Sequence, residues 1–176
     1  MSACTHNKRA LFFAYLDKLF LIYFVSHIPI TMIMDLQALY PPHLVPSALK
    51  ELSLWYIKTF RDPFMSGVAE GGFYWFLSFL YCEAIYQLPF FFWATWAIWT
   101  DYPKRHLPLL VYGTHTSTTV IPVLFEVVFN PAHNLLFKEI AVLLSFYTPY
   151  LVIPLILAAV SYTRANRVQE KVEKVE

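Results

Sequence analysis

Two acidic residues lie inside long apolar stretches of this chain, where an ionisable side chain is costly and usually functional. Asp35 interrupts an apolar run that begins at Leu19, and Glu83 is the one charged residue between Gly71 and Thr100. Neither run contains lysine or arginine, so each acid must be protonated, share a proton or bind a cation. A carboxylate among aromatic rings suits a hydrophobic amine, because it can pair with the ammonium group. We therefore predict that both acids contribute to a ligand-binding site.

Polar side chains accompany both acids at helical spacing. His27, Thr31 and Asp35 follow one another at intervals of four residues, which places them on one face of a helix. Later apolar runs show similar helical pairs: Glu83 and Gln87, and His115 and Thr119, are four residues apart, and Tyr147 and Tyr150 are three apart. These faces either converge on a ligand or only hydrogen-bond across helices and stabilise their packing. For the two acids we favour binding, because apart from histidine no residue within the runs could neutralise them.

Four apolar runs must position these residues. They cover residues 19–40, 73–99, 107–129 and 140–162, close to the roughly 20 residues that cross a bilayer as a helix. The composition, 58% hydrophobic and 14% charged, excludes a disordered chain, and the runs lack the alternation of a membrane barrel. We predict an all-α integral membrane protein, a single domain over residues 1–176 built as a four-helix transmembrane bundle.

Each predicted span contains at least one proline, namely Pro29, Pro89, Pro122, and Pro149 with Pro154. Proline removes a backbone hydrogen bond and clashes with the carbonyl group four residues earlier, which bends a helix. We expect proline-kinked helices that splay and leave a cavity between them. The alternative is that proline is simply more frequent in membrane helices than in soluble ones.

The basic residues predict the orientation of the spans. Nine lie on the side that holds both termini, and four lie on the other side. Since basic loops stay in the cytosol, both termini are predicted to be cytosolic, with residues 164–176 as a tail. On the opposite side we predict an amphipathic loop helix capped by Ser47 and ending before Asp62 and Pro63. Its apolar face is predicted to hold Leu49, Leu52, Trp55, Tyr56 and Phe60.

Other chemical signals in the sequence are sparse. No nucleophile, phosphate-binding or zinc-protease motif occurs, so no catalytic residue, metal or cofactor is predicted. A net charge of +1 gives no basic field for nucleic acid. Cys4 falls on the predicted cytosolic side and Cys82 inside a span, so we expect no disulfide between them.

Short motifs along the chain give it a family resemblance. In order, they are Ser26 to Thr31 (SHIPIT), Met34 to Ala38 (MDLQA), Phe60 to Pro63 (FRDP), Cys82 and Glu83 (CE), Gln87 to Phe91 (QLPFF), Thr118 to Pro122 (TTVIP) and Pro149 to Leu151 (PYL). Their order and spacing across four spans and one loop resemble the sigma-2 receptor family. That family belongs to the EXPERA superfamily and is related to the emopamil-binding sterol isomerase.

The resemblance implies an endoplasmic-reticulum membrane protein that binds sterol or oxysterol-like lipids and cationic amphiphiles in an intramembrane cavity. By motif, Asp35 matches the acid that pairs with the ligand amine, and Glu83 matches the buried acid that supports it. Asp62 matches a loop acid with a structural or gating role. The remaining matches are groups in or beside the cavity: His27, Gln87, Thr119 and Tyr150. The family is linked to sterol homeostasis and, in fungi, to the delivery of mitochondrial precursors.

The partners and activity implied by the resemblance leave alternatives open. A homodimer and protein clients in the membrane are compatible with the family, although no residue of this sequence indicates either. A sterol double-bond isomerase could use two buried acids, but its relatives add a histidine that the second span lacks, so we predict no enzyme. A membrane scaffold for protein clients is the third interpretation. Lys174 lacks the second lysine of the family's usual tail, so the location depends on the resemblance alone.

Overall fold

The computed structural model describes residues 2–67 and 73–173, with side chains described for residues 11–67 and 73–167. Throughout these ranges the regular structure is helical and no strand occurs, which confirms the prediction of an all-α chain. Three short turns lie between the α-helices: 3₁₀ turns at Asp35–Leu39 and Pro131–His133, and a π-helical segment at Glu83–Gln87. The α-helices of the described part are α1 (Ser2–Ile33), α2 (Ser47–Phe60), α3 (Pro63–Gly67), α4 (Tyr74–Cys82), α5 (Leu88–Trp99), α6 (His106–Phe129) and α7 (Phe137–Glu173).

Helix α1 ends at Ile33, so the predicted first span of residues 19–40 is not one continuous α-helix. The chain instead tightens into the 3₁₀ turn at Asp35–Leu39. Two side chains satisfy carbonyl groups at the end of α1: Gln37 donates to the Ile33 oxygen (3.3 Å) and Tyr40 to the Met32 oxygen (3.0 Å). These bonds replace the partners that a helix end lacks, and the turn packs against α4.

The predicted second span, residues 73–99, is one helical stretch that contains the π-helical segment. Within it the amide of Leu88 bonds to the carbonyl oxygen of Glu83, five residues earlier. Pro89 follows at once and lacks the amide hydrogen that an α-helix would direct to Ile85. A π-helical turn beside such a defect is frequent at functional sites, and here it carries Glu83 and Gln87 at its two ends.

Two helical stretches of the described chain are long and apolar enough to cross a membrane, Leu11–Leu39 and Phe137–Arg167. They coincide with the first and fourth predicted spans, while the four-span bundle and the proline kinks stay predictions. Large apolar side chains on these stretches are exposed, among them Ile22, Val152 and Leu155. An apolar exterior of this kind fits contact with lipid.

The interior contains two separate hydrophobic clusters. The first joins α1, α5, α6 and α7 around Phe24, Phe91 and Tyr112, whose side chains are fully buried. The second joins α3, α4, α6 and α7 around Phe64 and Leu143, which are equally buried. Close-packed side chains gain van der Waals contacts even where lipid surrounds the helices, so the two clusters stabilise the helix packing.

The loop between the first two predicted spans folds as α2 and α3. The predicted capping by Ser47 is wrong, because Pro46 occupies the N-cap position of α2 and no side chain caps the helix. Helix α2 ends at Phe60, as expected from Asp62 and Pro63, and Arg61 ends it in a left-handed conformation (φ 53°). Arg61 then pairs with Glu139 at the start of α7 (3.0 Å).

The packed face of α2 differs from the predicted one. Leu49, Tyr56 and Phe60 are half-buried as expected, together with Ser53 and Ile57. Leu52 and Trp55 are exposed. Leu49, Leu52 and Trp55 follow one another at steps of three residues, which is less than the 3.6 residues of a full turn. Each such step rotates the side chain further from the packed face, whereas steps that alternate between four and three keep side chains on it.

Charged side chains join three helices at the end of the molecule opposite α2. The Asp17 carboxylate on α1 accepts hydrogen bonds from Arg164 on α7 (2.7 Å) and from Arg105 before α6 (3.3 Å). Arg105 is 4% exposed and also pairs with Asp101. The early part of α1, the connection between α5 and α6, and the late part of α7 therefore share one end.

The predicted C-terminal tail is described only in part. Residues 164–173 continue helix α7, and residues 174–176, including Lys174, lie outside the described residues. The side chain of Cys4 is also outside them, so its predicted lack of a disulfide stays a prediction.

Helices α6 and α7 form the most extensive helix pair, and a glycine permits their close approach. A Cβ atom at Gly113 would lie 2.6 Å from the carbonyl oxygen of Pro154 and 3.1 Å from the Cβ of Ala158. The first distance is shorter than side chains tolerate, and the obstacle is backbone that no rotamer change can move.

Replacing Gly113 with valine should destabilise the protein by about 1–3 kcal/mol, because overpacking forces α6 and α7 apart. Thermal unfolding of detergent-purified protein measures the change. Thr114→Val is the matched control, since Thr114 is exposed on the same helix and its substitution should leave the melting temperature nearly unchanged. An unaltered melting temperature for Gly113→Val would contradict the proposed role of this contact.

Candidate ligand-binding cavity

A cavity of about 450 Å³ opens between the two hydrophobic clusters. Its walls come from α1 and the following 3₁₀ turn, α2, α3, α4, the π-helical segment, α6 and α7. The lining includes all six side chains that were predicted to lie in or beside a ligand site: His27, Asp35, Glu83, Gln87, Thr119 and Tyr150. Residues from four distant parts of the sequence therefore meet at one place.

The two acids lie together on one wall with a histidine. Potential ligand atoms of His27, Asp35 and Glu83 all lie within 4.8 Å of one another. Asp35 reaches this position from the 3₁₀ turn, and Glu83 reaches it from the first residue of the π-helical segment. Two carboxylates this close repel each other when both are charged, so the pair favours a shared proton or a bound cation.

Thr31 connects the first helix to the second acid. Its hydroxyl donates to the Glu83 Oε1 atom at 2.6 Å, and its side chain is fully buried. The spacing of four residues from His27 to Thr31 places both on the inner face of α1. This hydrogen bond fixes one carboxylate oxygen of Glu83 and leaves the other for a further partner.

His27 is held between aromatic rings. It stacks on Phe91 (centroids 4.6 Å apart, interplanar angle 18°) and packs against Tyr150 (4.6 Å) and Tyr23 (5.1 Å). The side chain is 6% exposed. Its Nδ1 atom is buried and has no hydrogen-bond partner among the described residues. A buried polar atom without a partner is uncommon and calls for an explanation.

Helix α6 contributes a stripe of two threonines and two valines to the opposite wall. Thr116, Thr119, Val120 and Val123 line the cavity at helical spacing. The Thr119 hydroxyl already donates to the Thr116 carbonyl oxygen (2.9 Å), so it offers mainly acceptor capacity. Next to this stripe the Gln87 amide nitrogen and His115 Nε2 are 3.5 Å apart, which links the π-helical segment to α6.

The rest of the lining is mostly aromatic and aliphatic. Rings come from α2, α4 and α7: Tyr56, Phe76, Phe79, Phe146, Tyr147 and Tyr150. Among the lining residues in the described part of the chain, none is lysine or arginine. Aromatic faces attract cations, so the walls add to the attraction that the acids exert.

Helices α2 and α3 cover the cavity, and Asp62 fastens them. Its fully buried carboxylate accepts hydrogen bonds from the hydroxyl groups of Tyr147 (2.6 Å) and Tyr56 (3.0 Å). It also accepts from the backbone amide of Phe64 (2.9 Å). Burial and the neighbouring Asp62 carboxylate raise the pKa of Tyr56, so this hydroxyl remains a neutral donor.

The residues that were predicted to have structural or gating roles differ in whether they line the cavity. Pro149 lines the cavity, whereas Pro29, Pro89 and Pro122 are exposed on the outer faces of their helices. Asp62 lies outside the lining and acts through Tyr56 and Tyr147.

Some lining residues were not predicted. Tyr56 was assigned to the loop helix without a role at the site, and neither Met65 nor Thr116 was singled out. The one available signal was the spacing from Thr116 to Thr119 and Val120, which defines a single face of α6.

Comparison with known proteins matches the sequence to a family. The EXPERA (EXPanded EBP superfamily) domain matches residues 48–161, more than half of the chain. The protein is 40% identical over 164 residues to sigma intracellular receptor 2 of Xenopus tropicalis, covering 89% of this chain and 94% of the relative. The human protein of the same name is 42% identical over 146 residues, covering 77% of this chain and 81% of the relative.

A fungal relative is more distant. The efficient mitochondria targeting-associated protein 19 of Schizosaccharomyces pombe is 31% identical over 147 residues, covering 82% of this chain and 73% of the relative. The resemblance to the sigma-2 receptor family is thereby confirmed. The chain belongs to the EXPERA family of membrane proteins, in the group that contains the sigma intracellular receptors.

Proposed function

We propose that this protein binds sterol-like lipids and cationic amphiphiles in its cavity and acts as a receptor rather than an enzyme. The observation that carries the proposal is the cavity of about 450 Å³ with two carboxylates on one wall and aromatic groups on the others. This volume lies within the range of about 300–1,000 Å³ that small-molecule sites occupy. The receptor names of the relatives support the choice of binding over catalysis.

A cationic amphiphile would place its ammonium group against the acids. Asp35 pairs with the ammonium, and Glu83, oriented by Thr31, supports the same charge. A charged hydrogen bond in a cavity that excludes water is stronger than in solution. The hydrophobic part of the ligand then lies against rings such as Phe146 and Tyr150.

A sterol-like lipid would use the same wall differently. Its hydroxyl group donates to one carboxylate of the pair, or accepts from it when that group is protonated. Gln87 and Thr119 offer further polar contacts across the cavity. The rigid apolar body of the lipid fills the remaining space, where burial of apolar surface supplies the affinity.

The location we propose is the endoplasmic-reticulum membrane, with four spans and both termini in the cytosol. The shared end formed by Asp17, Arg105 and Arg164 supports a single side for both termini. The excess of basic residues on that side supports its cytosolic placement. Bending of the helices at Pro149 and the other span prolines would widen the cavity.

Asp62 is proposed to control access through α2 and α3. Its bonds to Tyr56 and Tyr147 hold this cover on α7, and both tyrosines also line the cavity. Displacing the cover breaks these hydrogen bonds together, and each costs about 1–3 kcal/mol when a buried group is left unpaired. The cover therefore opens rarely, and a bound ligand is retained.

Two other functions have specific support. The name of the fungal relative supports a scaffold that assists targeting of mitochondrial precursors. The group of His27, Asp35 and Glu83 supports a sterol isomerase, which would protonate one carbon of a double bond and remove a proton from another. This histidine lies on α1, whereas the isomerase relatives are expected to carry theirs on the second span.

Asp35→Asn should weaken binding of a cationic amphiphile about 10- to 100-fold, the loss of one charged hydrogen bond of about 1.5–3 kcal/mol. Equilibrium binding to detergent-purified protein measures it. Ser145→Ala is the control, because Ser145 lines the cavity but its hydroxyl is engaged by the Val142 carbonyl (2.6 Å). Full affinity in Asp35→Asn, with a normal melting temperature, would exclude this pairing.

Val120→Phe should fill the cavity and reduce the amount of sterol that copurifies, whereas Ile121→Phe on the exposed side should not. Lipid mass spectrometry of the purified proteins measures this difference. A cellular phenotype that follows Val120→Phe supports binding. Loss of copurified sterol without any change of phenotype would instead favour the scaffold.

Incubation with a sterol that carries a movable ring double bond should give no isomer above the level of a Glu83→Gln variant. Gas chromatography of the extracted sterols separates the isomers. Product that forms with the native protein and disappears in Glu83→Gln would replace the receptor assignment with an isomerase, since Glu83 is one of two acids able to supply the proton.

A further inference from the structure

We infer that His27, Asp35 and Glu83 form a binding site for a divalent transition metal ion, with Zn²⁺ as the fitting probe. One nitrogen and two carboxylate groups offer ligand atoms that all lie within 4.8 Å of one another. The groups come from α1, the 3₁₀ turn and the π-helical segment, so the fold and not local sequence assembles them. The receptor proposal does not require this ion, and the site is argued independently of it.

The unpaired histidine is the second observation that indicates a ligand. His27 is 6% exposed, lines the cavity, and has no hydrogen-bond partner for its buried Nδ1 among the described residues. Purely structural histidines at such depth normally pair through a ring nitrogen. Neutral imidazole is the commonest protein ligand of transition metals, so an ion beside Asp35 and Glu83 would use the ring's remaining capacity.

The distances fit a site that tightens slightly around its ion. Tetrahedral zinc with bonds of about 2.0–2.2 Å keeps its ligand atoms about 3.3–3.5 Å apart. The ligand atoms of the three groups lie within 4.8 Å of one another, so side-chain movements of about 1.5 Å or less bring them to the spacing of a zinc site. Asp35 lies on a short 3₁₀ turn, and Glu83 lies at the first residue of the π-helical segment, where the α-helical hydrogen-bond pattern is already interrupted.

The donor set selects the class of ion. Calcium takes six to eight oxygen ligands and magnesium keeps several waters, and neither favours imidazole. Zinc accepts one imidazole and two carboxylates, and three protein ligands leave a fourth position open toward the cavity. A dication also neutralises both acids at once, in a cavity whose described lining holds no lysine or arginine.

Neighbouring side chains orient the three ligands, as hydrogen-bonding and packing groups around the ligands do in metal sites. Thr31 donates to Glu83 Oε1 (2.6 Å), which leaves the other oxygen for the ion. Phe91 and Tyr150 hold the plane of the His27 ring from two sides. Such positioning groups typically change metal affinity 10- to 100-fold when removed.

The test measures how much Zn²⁺ the full-length protein binds in detergent, with no other ligand added. The protein is first stripped with a chelator and then reloaded. Mass spectrometry gives the stoichiometry and titration calorimetry gives the affinity. We expect about one zinc ion per chain for the native protein. His27→Phe keeps the aromatic packing and should lose the ion, as should Glu83→Gln. Thr31→Val should bind about 10- to 100-fold more weakly. Thr119→Val, whose hydroxyl is engaged within α6, should bind as the native protein does.

Removing the ion from the native protein separates this site from the receptor proposal. Chelator-stripped native protein should still bind a cationic amphiphile, because the ammonium pairs with Asp35 and needs no metal ion. Native protein that takes up no stoichiometric zinc overturns the inference, as does a zinc affinity in folded His27→Phe and Glu83→Gln that equals the affinity of the native protein. Zinc binding without amphiphile binding would leave the metal site and reject the receptor proposal. If His27→Phe fails to fold, Glu83→Gln and Thr31→Val decide the outcome.

Discussion

The enclosure of two neighbouring carboxylates in an apolar cavity is the constraint on which the rest of this structure depends. Asp35 and Glu83 lie close together, with no lysine or arginine among the described lining residues. Burying an unpaired charge costs far more than one helix contact can return. The π-helical turn, the 3₁₀ turn and Thr31 each act on the position of this pair, which a shared proton or a bound cation would satisfy.

Asp62 shows how a carboxylate of this chain is arranged when the protein itself uses its acceptor capacity. Asp62 is fully buried and accepts hydrogen bonds from two tyrosine hydroxyls and the amide of Phe64. Its acceptor capacity is used by the protein itself, so it fastens α2 and α3 to α7. Among the described residues, by contrast, Thr31 is the one hydroxyl that donates to the pair of Asp35 and Glu83. The remaining acceptor capacity of this pair beside the cavity supports its proposed binding role.

The sequence predicts much of this arrangement because helical spacing is a local property. Steps of four residues group His27 with Thr31, which are both buried, and they place Glu83 with Gln87 on the cavity wall. The end of α1 at Ile33 is not predictable in this way, because it depends on side chains that return from Gln37 and Tyr40. The exposure of Leu52 and Trp55 depends on which face of α2 meets α7, a contact between distant segments. The approach of His27 to Glu83 is also a tertiary contact, so no motif search could find it.

His27 is the residue that distinguishes the two kinds of cation this wall could hold. An ammonium group donates hydrogen bonds, and carboxylates accept them without help from an imidazole. A metal ion instead needs lone pairs at about 2 Å, and a neutral imidazole supplies one where two carboxylates alone bind transition metals weakly. The aromatic packing of His27 explains its ring orientation but leaves its buried nitrogen unpaired. The inferred ion, bound through the ring nitrogen that lies within 4.8 Å of both acids, would give this histidine a function that a phenylalanine could not supply.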